Sequence, residues 1–109
     1  MEGTPAMVKV VSLKGRKPQM LQPDEVYIGR ALHMSGWNLS GSKWQNPFRI
    51  TLMHKPGDGS RTEVLRKYRD WIKTQPHLIE SLHELKGKTL CCWCKPEACH
   101  GDILAELMN

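Results

Sequence analysis

Long apolar runs are missing from this chain. No stretch stays hydrophobic for more than a few residues, so neither a membrane-spanning helix nor the apolar core of a secretory leader is expected. Cysteine is absent until position 91, and the four present stand at 91, 92, 94 and 99. So crowded, they do not frame a secreted scaffold, whose disulfides join cysteines spread along the chain. Reduced or metal-bound thiols in a cytoplasmic protein are expected instead. Internal repeats and low-complexity tracts are lacking too. There is no helix-turn-helix, RNA-recognition sequence or basic arm, which weakens the case for a dedicated nucleic-acid reader.

What is present is enough for one domain with a modest core: 109 residues, 39% of them hydrophobic. The net charge of +5 is uneven. Residues 1–54 hold seven Lys/Arg against three Asp/Glu (+4), and residues 55–109 hold nine against eight (+1). A basic excess in the first half suits an anionic ligand, either a phosphorylated small molecule or nucleic acid, although an excess this small also serves solubility alone.

The pattern predicts an α/β order. Met1–Ala6 is expected to be a disordered tail, with a single domain over 7–109. Val8–Leu13, Val26–Gly29 and Leu90–Trp93 read as neighbouring strands of a short, mostly parallel central sheet, and Phe48–Met53 as a further short strand. Ser60-Arg61-Thr62-Glu63 has capping-box spacing and opens a helix over 61–74 with Val64, Leu65, Tyr68, Trp71 and Ile72 on one face. Helices over 77–86 and 101–108 follow. The expected fold is a small three-layer-like, Rossmann-like α/β domain, its sheet flanked by helices. Ala31–Pro47 has no clear period, and a loop so long in a small domain tends to be functional.

The chemistry concentrates in Lys88–Asn109, read as strand, tight loop and helix. Cys94 falls at the lip of the strand and Cys99-His100 at the start of the helix, an edge where α/β proteins bind ligands.

Val26–Arg30, Ser42–Phe48, Tyr68-Arg69-Asp70-Trp71, Leu85–Leu90 and Cys92-Trp93-Cys94-Lys95-Pro96 with Cys99-His100-Gly101-Asp102 resemble, in order, the family called domain of unknown function 4326. That family is found in bacteria, phages and other viruses, so the resemblance implies the cytoplasm of a bacterium or of an infected host cell. It implies a fold and a site but names no reaction. The final motif is also similar to the strand–Cys-His–helix end of domain of unknown function 488. Cys91 stands where the family often has a small apolar residue, and Ala31–Leu39 departs from the family pattern, which counts against His33 as a site residue.

Two readings of the motif stay open. In the first, Arg30, Lys43, Trp44, Asn46, Cys94, Cys99 and His100 line a cleft for a phosphorylated, nucleotide-like ligand. Arg30 and Lys43 hold phosphate, with free backbone N–H groups around Cys99–Asp102 assisting. Trp44 or Trp93 stacks on a base, Asn46 orients the substrate, and Cys99 or His100 carries hydrolysis or group transfer. In the second, Cys92, Cys94, Cys99 and His100 bind zinc in a structural site of a module that contacts nucleic acid or a host protein. Plainer roles compete: Cys91 and Cys92 as core packing, Trp44 as a core plug, Asn46-Pro47 as a turn. Oligomeric state is not legible.

Overall fold

Three short strands form the centre: β1 (Lys9–Ser12), β2 (Glu25–Tyr27) and β3 (Thr89–Cys92). They are described in a computed structural model covering residues 8–95 and 97–108; the expected tail lies outside the described residues. All pairing is parallel in the order β1-β3-β2, with Val10 and Val26 both opposite Leu90. The last strand in sequence is therefore the middle one. Its Leu90, Cys91 and Cys92 are all buried, as a central parallel strand covered on both faces requires.

Helix α1 (Arg61–Ile72) begins at the expected capping box. Glu63 N–H donates to Ser60 Oγ at 3.2 Å and Ser60 N–H to Glu63 Oε1 at 2.9 Å. Helix α2 (Pro76–Ser81) has proline at its start, and the remainder of the expected second helix is a 3₁₀ turn, Leu82–Leu85, ended by Gly87 at φ +76°. Helix α3 (His100–Met108) closes the chain.

The helices share one face of the sheet. Val8, Ile28, Leu90 and Cys92 pack there with Tyr68, Ile72, Leu78, Leu85, Ile103 and Leu104. On the opposite face loops do the covering, with Leu13, Cys91 and Trp37 buried among Val11, Leu21, Leu32, Leu39 and Trp93. The expected three-layer arrangement is thus two layers of regular structure and one of loop. Both tryptophans of the long loop are spent on cores: Trp37 under the loop face, Trp44 on the helix face, where Tyr68 Oη donates to its carbonyl at 2.8 Å. Gly101 lets α3 approach closely, since a Cβ there would sit 2.8 Å from both Ile28 Cδ1 and Val10 Cγ1.

Phe48–Met53 is not a strand of this sheet. Its backbone bonds to its own return: Asp58 N–H to Arg49 O (2.7 Å), Thr51 N–H to Gly59 O (2.7 Å), and Leu52 with Lys55 in both directions. The segment expected as a further short strand forms a local arm instead.

Candidate metal and anion site

Beyond β3 the chain turns sharply, with Glu97 N–H donating to Cys94 O at 2.8 Å, and re-enters as α3. Three cysteines meet as a result: Cys92 from the strand, Cys94 from the turn and Cys99 from the residue before the helix. Their Sγ atoms all lie within 4.8 Å of one another. Cys91 is excluded by strand alternation; it packs against Leu13 and Trp37 on the loop face, where burial pushes its thiol up to about 11.

Three backbone donors at the helix start are already engaged. Cys99 Sγ accepts Gly101 N–H at 3.4 Å, and Asp102 carboxylate accepts Cys99 N–H at 3.0 Å while Lys95 Nζ pairs with its other oxygen at 2.5 Å. Asp102 N–H goes to Cys99 O at 2.9 Å. The backbone donors that the sequence offered to a phosphate are therefore engaged at Cys99, Gly101 and Asp102. Cysteine and aspartate divide the cap between them.

Charge in the thiol group settles on Cys94. The Cys92 and Cys99 thiols stabilise its thiolate, with Arg61 adding to them, so Cys94 is held well below the usual thiol range. The same contacts push Cys92 and Cys99 up, because a second negative charge beside the first is unfavourable. A divalent cation would remove that conflict by taking all three thiolates.

His100 is buried, with Nε2 2.7 Å from Ile28 O. A carbonyl only accepts, so Nε2 carries the proton and Nδ1 is the bare nitrogen, 3.7 Å from Cys99 Sγ. Burial lowers the pKa of the ring, keeping it neutral. His100 does not join the three thiols as a group that converges on one point.

In front of the thiols lies a cleft of about 530 Å³ at the C-terminal edge of the sheet, with Cys92, Cys94, Cys99 and His100 in its wall. Arg30, Arg49, Lys55 and Arg61 also line it, and among the described residues no carboxylate does. Tyr27, Phe48 and Trp93 add aromatic surface. Tyr27 Oη accepts from Trp93 Nε1 at 3.1 Å and donates to Arg30 O at 2.6 Å, which fixes one side of the opening. Arg30 Nη2 donates to the carbonyls of Asn46 (2.5 Å) and Phe48 (3.0 Å). Among the described residues no carboxylate pairs with it, and burial together with nearby Arg49 pulls its pKa down. Arg61 Nη1 donates to Ala98 O at 2.9 Å, which holds the start of α1 against the turn that precedes α3.

Of the residues singled out from the sequence, Arg30, Asn46, Cys92, Cys94, Cys99 and His100 come together here. Asn46 is buried, its Nδ2 donating to Val64 O at 3.3 Å and its Oδ1 accepting Phe48 N–H at 2.9 Å, so its side chain shapes the wall. Lys43 and Trp44 do not line the cleft. Lys43 is ion-paired with Glu84 at 2.8 Å and lies 5.3 Å from the centre of the Trp44 ring.

A family model described as Domain of unknown function (DUF4326) matches residues 11–109. The chain belongs to this family. Among family relatives, uncharacterized protein R718 of Acanthamoeba polyphaga mimivirus is 39% identical over 106 residues, covering 90% of this chain and 77% of its own. An uncharacterized 12.4 kDa protein from the nrdA-td intergenic region of Enterobacteria phage T4 is 37% identical over 49 residues, 45% of this chain and 42% of its own. No solved structure matches. For this member of the family, no helix is long and apolar enough to cross a membrane among the described residues.

Arg49, Lys55 and Arg61 were not legible as site residues. The first two sit in the arm that resembled a strand and its following loop. Arg61 reads as a solvated helix cation, yet it stands three and four residues before Val64 and Leu65, which places it at the edge of the apolar face.

Proposed function

We propose that this domain binds a phosphorylated, nucleotide-like ligand in the cleft at the C-terminal edge of the sheet. The supporting observation is the charge of the lining: four cations and, among the described residues, no carboxylate around about 530 Å³. The Cys94 thiolate beside Arg61 offsets only part of this positive charge, so an anion entering the cleft is favoured. The volume falls in the range of small-molecule sites, and the aromatic wall of Tyr27, Phe48 and Trp93 offers a base a surface to stack on. Arg30 and Arg49 would hold phosphate, the role that falls to Arg49 because Lys43 lies elsewhere. Any hydrolysis or group transfer would use the Cys94–Cys99–His100 wall. Cys94, half-buried and favoured as the thiolate, is better placed than Cys99 to meet a ligand.

A thermal-shift screen of nucleotides, sugar phosphates and pyrophosphate, with unphosphorylated nucleosides as controls, tests this reading. A ligand at a hundred times its Kd adds about 2.7 kcal/mol of stability, a shift readily seen in a domain of this size. Absence of any shift with phosphorylated compounds, or an equal shift with Arg49→Ala, would count against it.

A second reading, a zinc-stabilised module for nucleic acid or a host protein, is supported by the convergence of Cys92, Cys94 and Cys99. Its fourth ligand would be His100 Nδ1, bare and 3.7 Å from Cys99 Sγ but outside the group of converging sulfurs, so the ring would have to shift toward them. Binding to unrelated DNA with a steep salt dependence would favour it. Either activity suits a reducing cytoplasm, bacterial or in an infected cell, where the thiols persist.

A further inference from the structure

We propose that Cys92, Cys94 and Cys99 hold one zinc ion through three thiolates and leave its fourth coordination position open to the cleft. This rests on the anion-cleft reading and deepens it, because the ligand's phosphoryl oxygen, or a water in its absence, becomes the fourth donor.

Four observations converge. The three Sγ atoms fall within 4.8 Å of one another. A tetrahedral ion with Zn–S bonds of 2.3 Å holds its sulfurs about 3.8 Å apart, so small side-chain adjustments suffice. All three residues line the cleft, so an ion among them faces it. The nitrogen-donor candidate, His100, keeps Nδ1 bare while Nε2 serves Ile28 O, but that nitrogen does not fall within the group that the three sulfurs form. Three protein ligands and one exchangeable position make the pattern of a reactive rather than a purely structural zinc site.

The surroundings balance the charge. Three thiolates and a divalent ion leave one net negative charge. Arg61 lies beside Cys94, and Arg30 and Arg49 stand across the same cleft. Gly101 N–H on Cys99 Sγ is an outer hydrogen bond that orients a ligating sulfur. An anion entering the cleft meets arginines and then the open face of the ion.

The test uses the full chain, purified under a non-coordinating reductant and loaded with zinc or with cobalt(II). One equivalent of zinc is expected, and the cobalt form should show tetrahedral ligand-field bands with thiolate charge transfer. Adding azide or inorganic phosphate should change that spectrum, because an open position exchanges its donor. Cys94→Ser should reduce binding at least tenfold. Cys91→Ala, on the other face of the sheet, and His100→Gln should keep the full equivalent. Substoichiometric metal, a cobalt spectrum indifferent to both anions, or loss of metal from folded His100→Gln would each overturn the proposal. The anion reading is judged separately, by the phosphate-induced thermal shift of metal-free wild type against Arg49→Ala. A cleft without an ion and an ion without a cleft therefore give different results.

Discussion

His100 Nε2 donates to the carbonyl oxygen of Ile28, 72 residues earlier, at 2.7 Å. The bond fastens the first turn of α3 to the end of β2 and makes the cleft wall continuous. The ring also packs edge-on against Tyr68, with centroids 5.1 Å apart. His100→Ala should therefore cost about 2–4 kcal/mol, from the cavity and the orphaned carbonyl together. Equilibrium urea unfolding measures it; a loss below about 0.5 kcal/mol would show that the bond contributes nothing.

Gly101→Ala tests how closely α3 lies on the sheet. Helix propensity alone favours alanine by about 1 kcal/mol. The new methyl would stand 2.8 Å from Ile28 Cδ1 and Val10 Cγ1, and overpacking of this kind costs about 1–3 kcal/mol. A net loss of stability is expected despite the better helix former. A variant more stable than wild type in thermal unfolding would contradict the packing.

Arg49 and Lys43 should behave oppositely. Arg49→Ala, in the exposed arm over the cleft, should lower affinity for a phosphorylated ligand at least tenfold while leaving unliganded stability within about 0.5 kcal/mol. Lys43→Ala removes an exposed pair with Glu84 and a cation–ring contact with Trp44, both away from the cleft, and should leave ligand-induced shifts unchanged. Paired thermal-shift titrations decide it.

Glu25 supplies a pH dependence separate from the three-cysteine group. Arg16 grips its carboxylate at 2.7 and 2.8 Å, with Gln22 N–H adding a third donor, and holds its pKa at about 2 against an ordinary 4.5. A depressed carboxyl pKa contributes stability that is complete above 4.5 and disappears as pH falls toward 2. Unfolding of wild type should therefore steepen with acid over that window. Glu25→Gln should be less stable at pH 7 and flatter between pH 5 and 2; parallel curves for the two proteins would exclude the linkage.

The sequence by itself determined whatever depends on neighbours in the chain. The β-branched, apolar run at Val8–Leu13, the short apolar run at Thr89–Trp93, the Ser60/Glu63 cap, the apolar face of α1 and the turn at Gly87 are all local physics, and they emerge as expected. Spacing also placed Cys94 and Cys99 near one edge, because a strand, a tight turn and a helix leave little room for another arrangement. Tertiary structure alone decided which groups face one another. Phe48–Met53 reads as a short strand, yet its donors found acceptors in residues 55–59, and Arg49 was carried over the cleft as a result. Lys43 had the right charge and loop but met Glu84, and Trp44 went to the core. His100 looks like a zinc ligand beside Cys99, yet packing leaves its bare Nδ1 outside the group of converging sulfurs. A hydrogen bond or ion pair forms with whichever partner the packed backbone delivers, and partners tens of residues apart leave no mark in local periodicity.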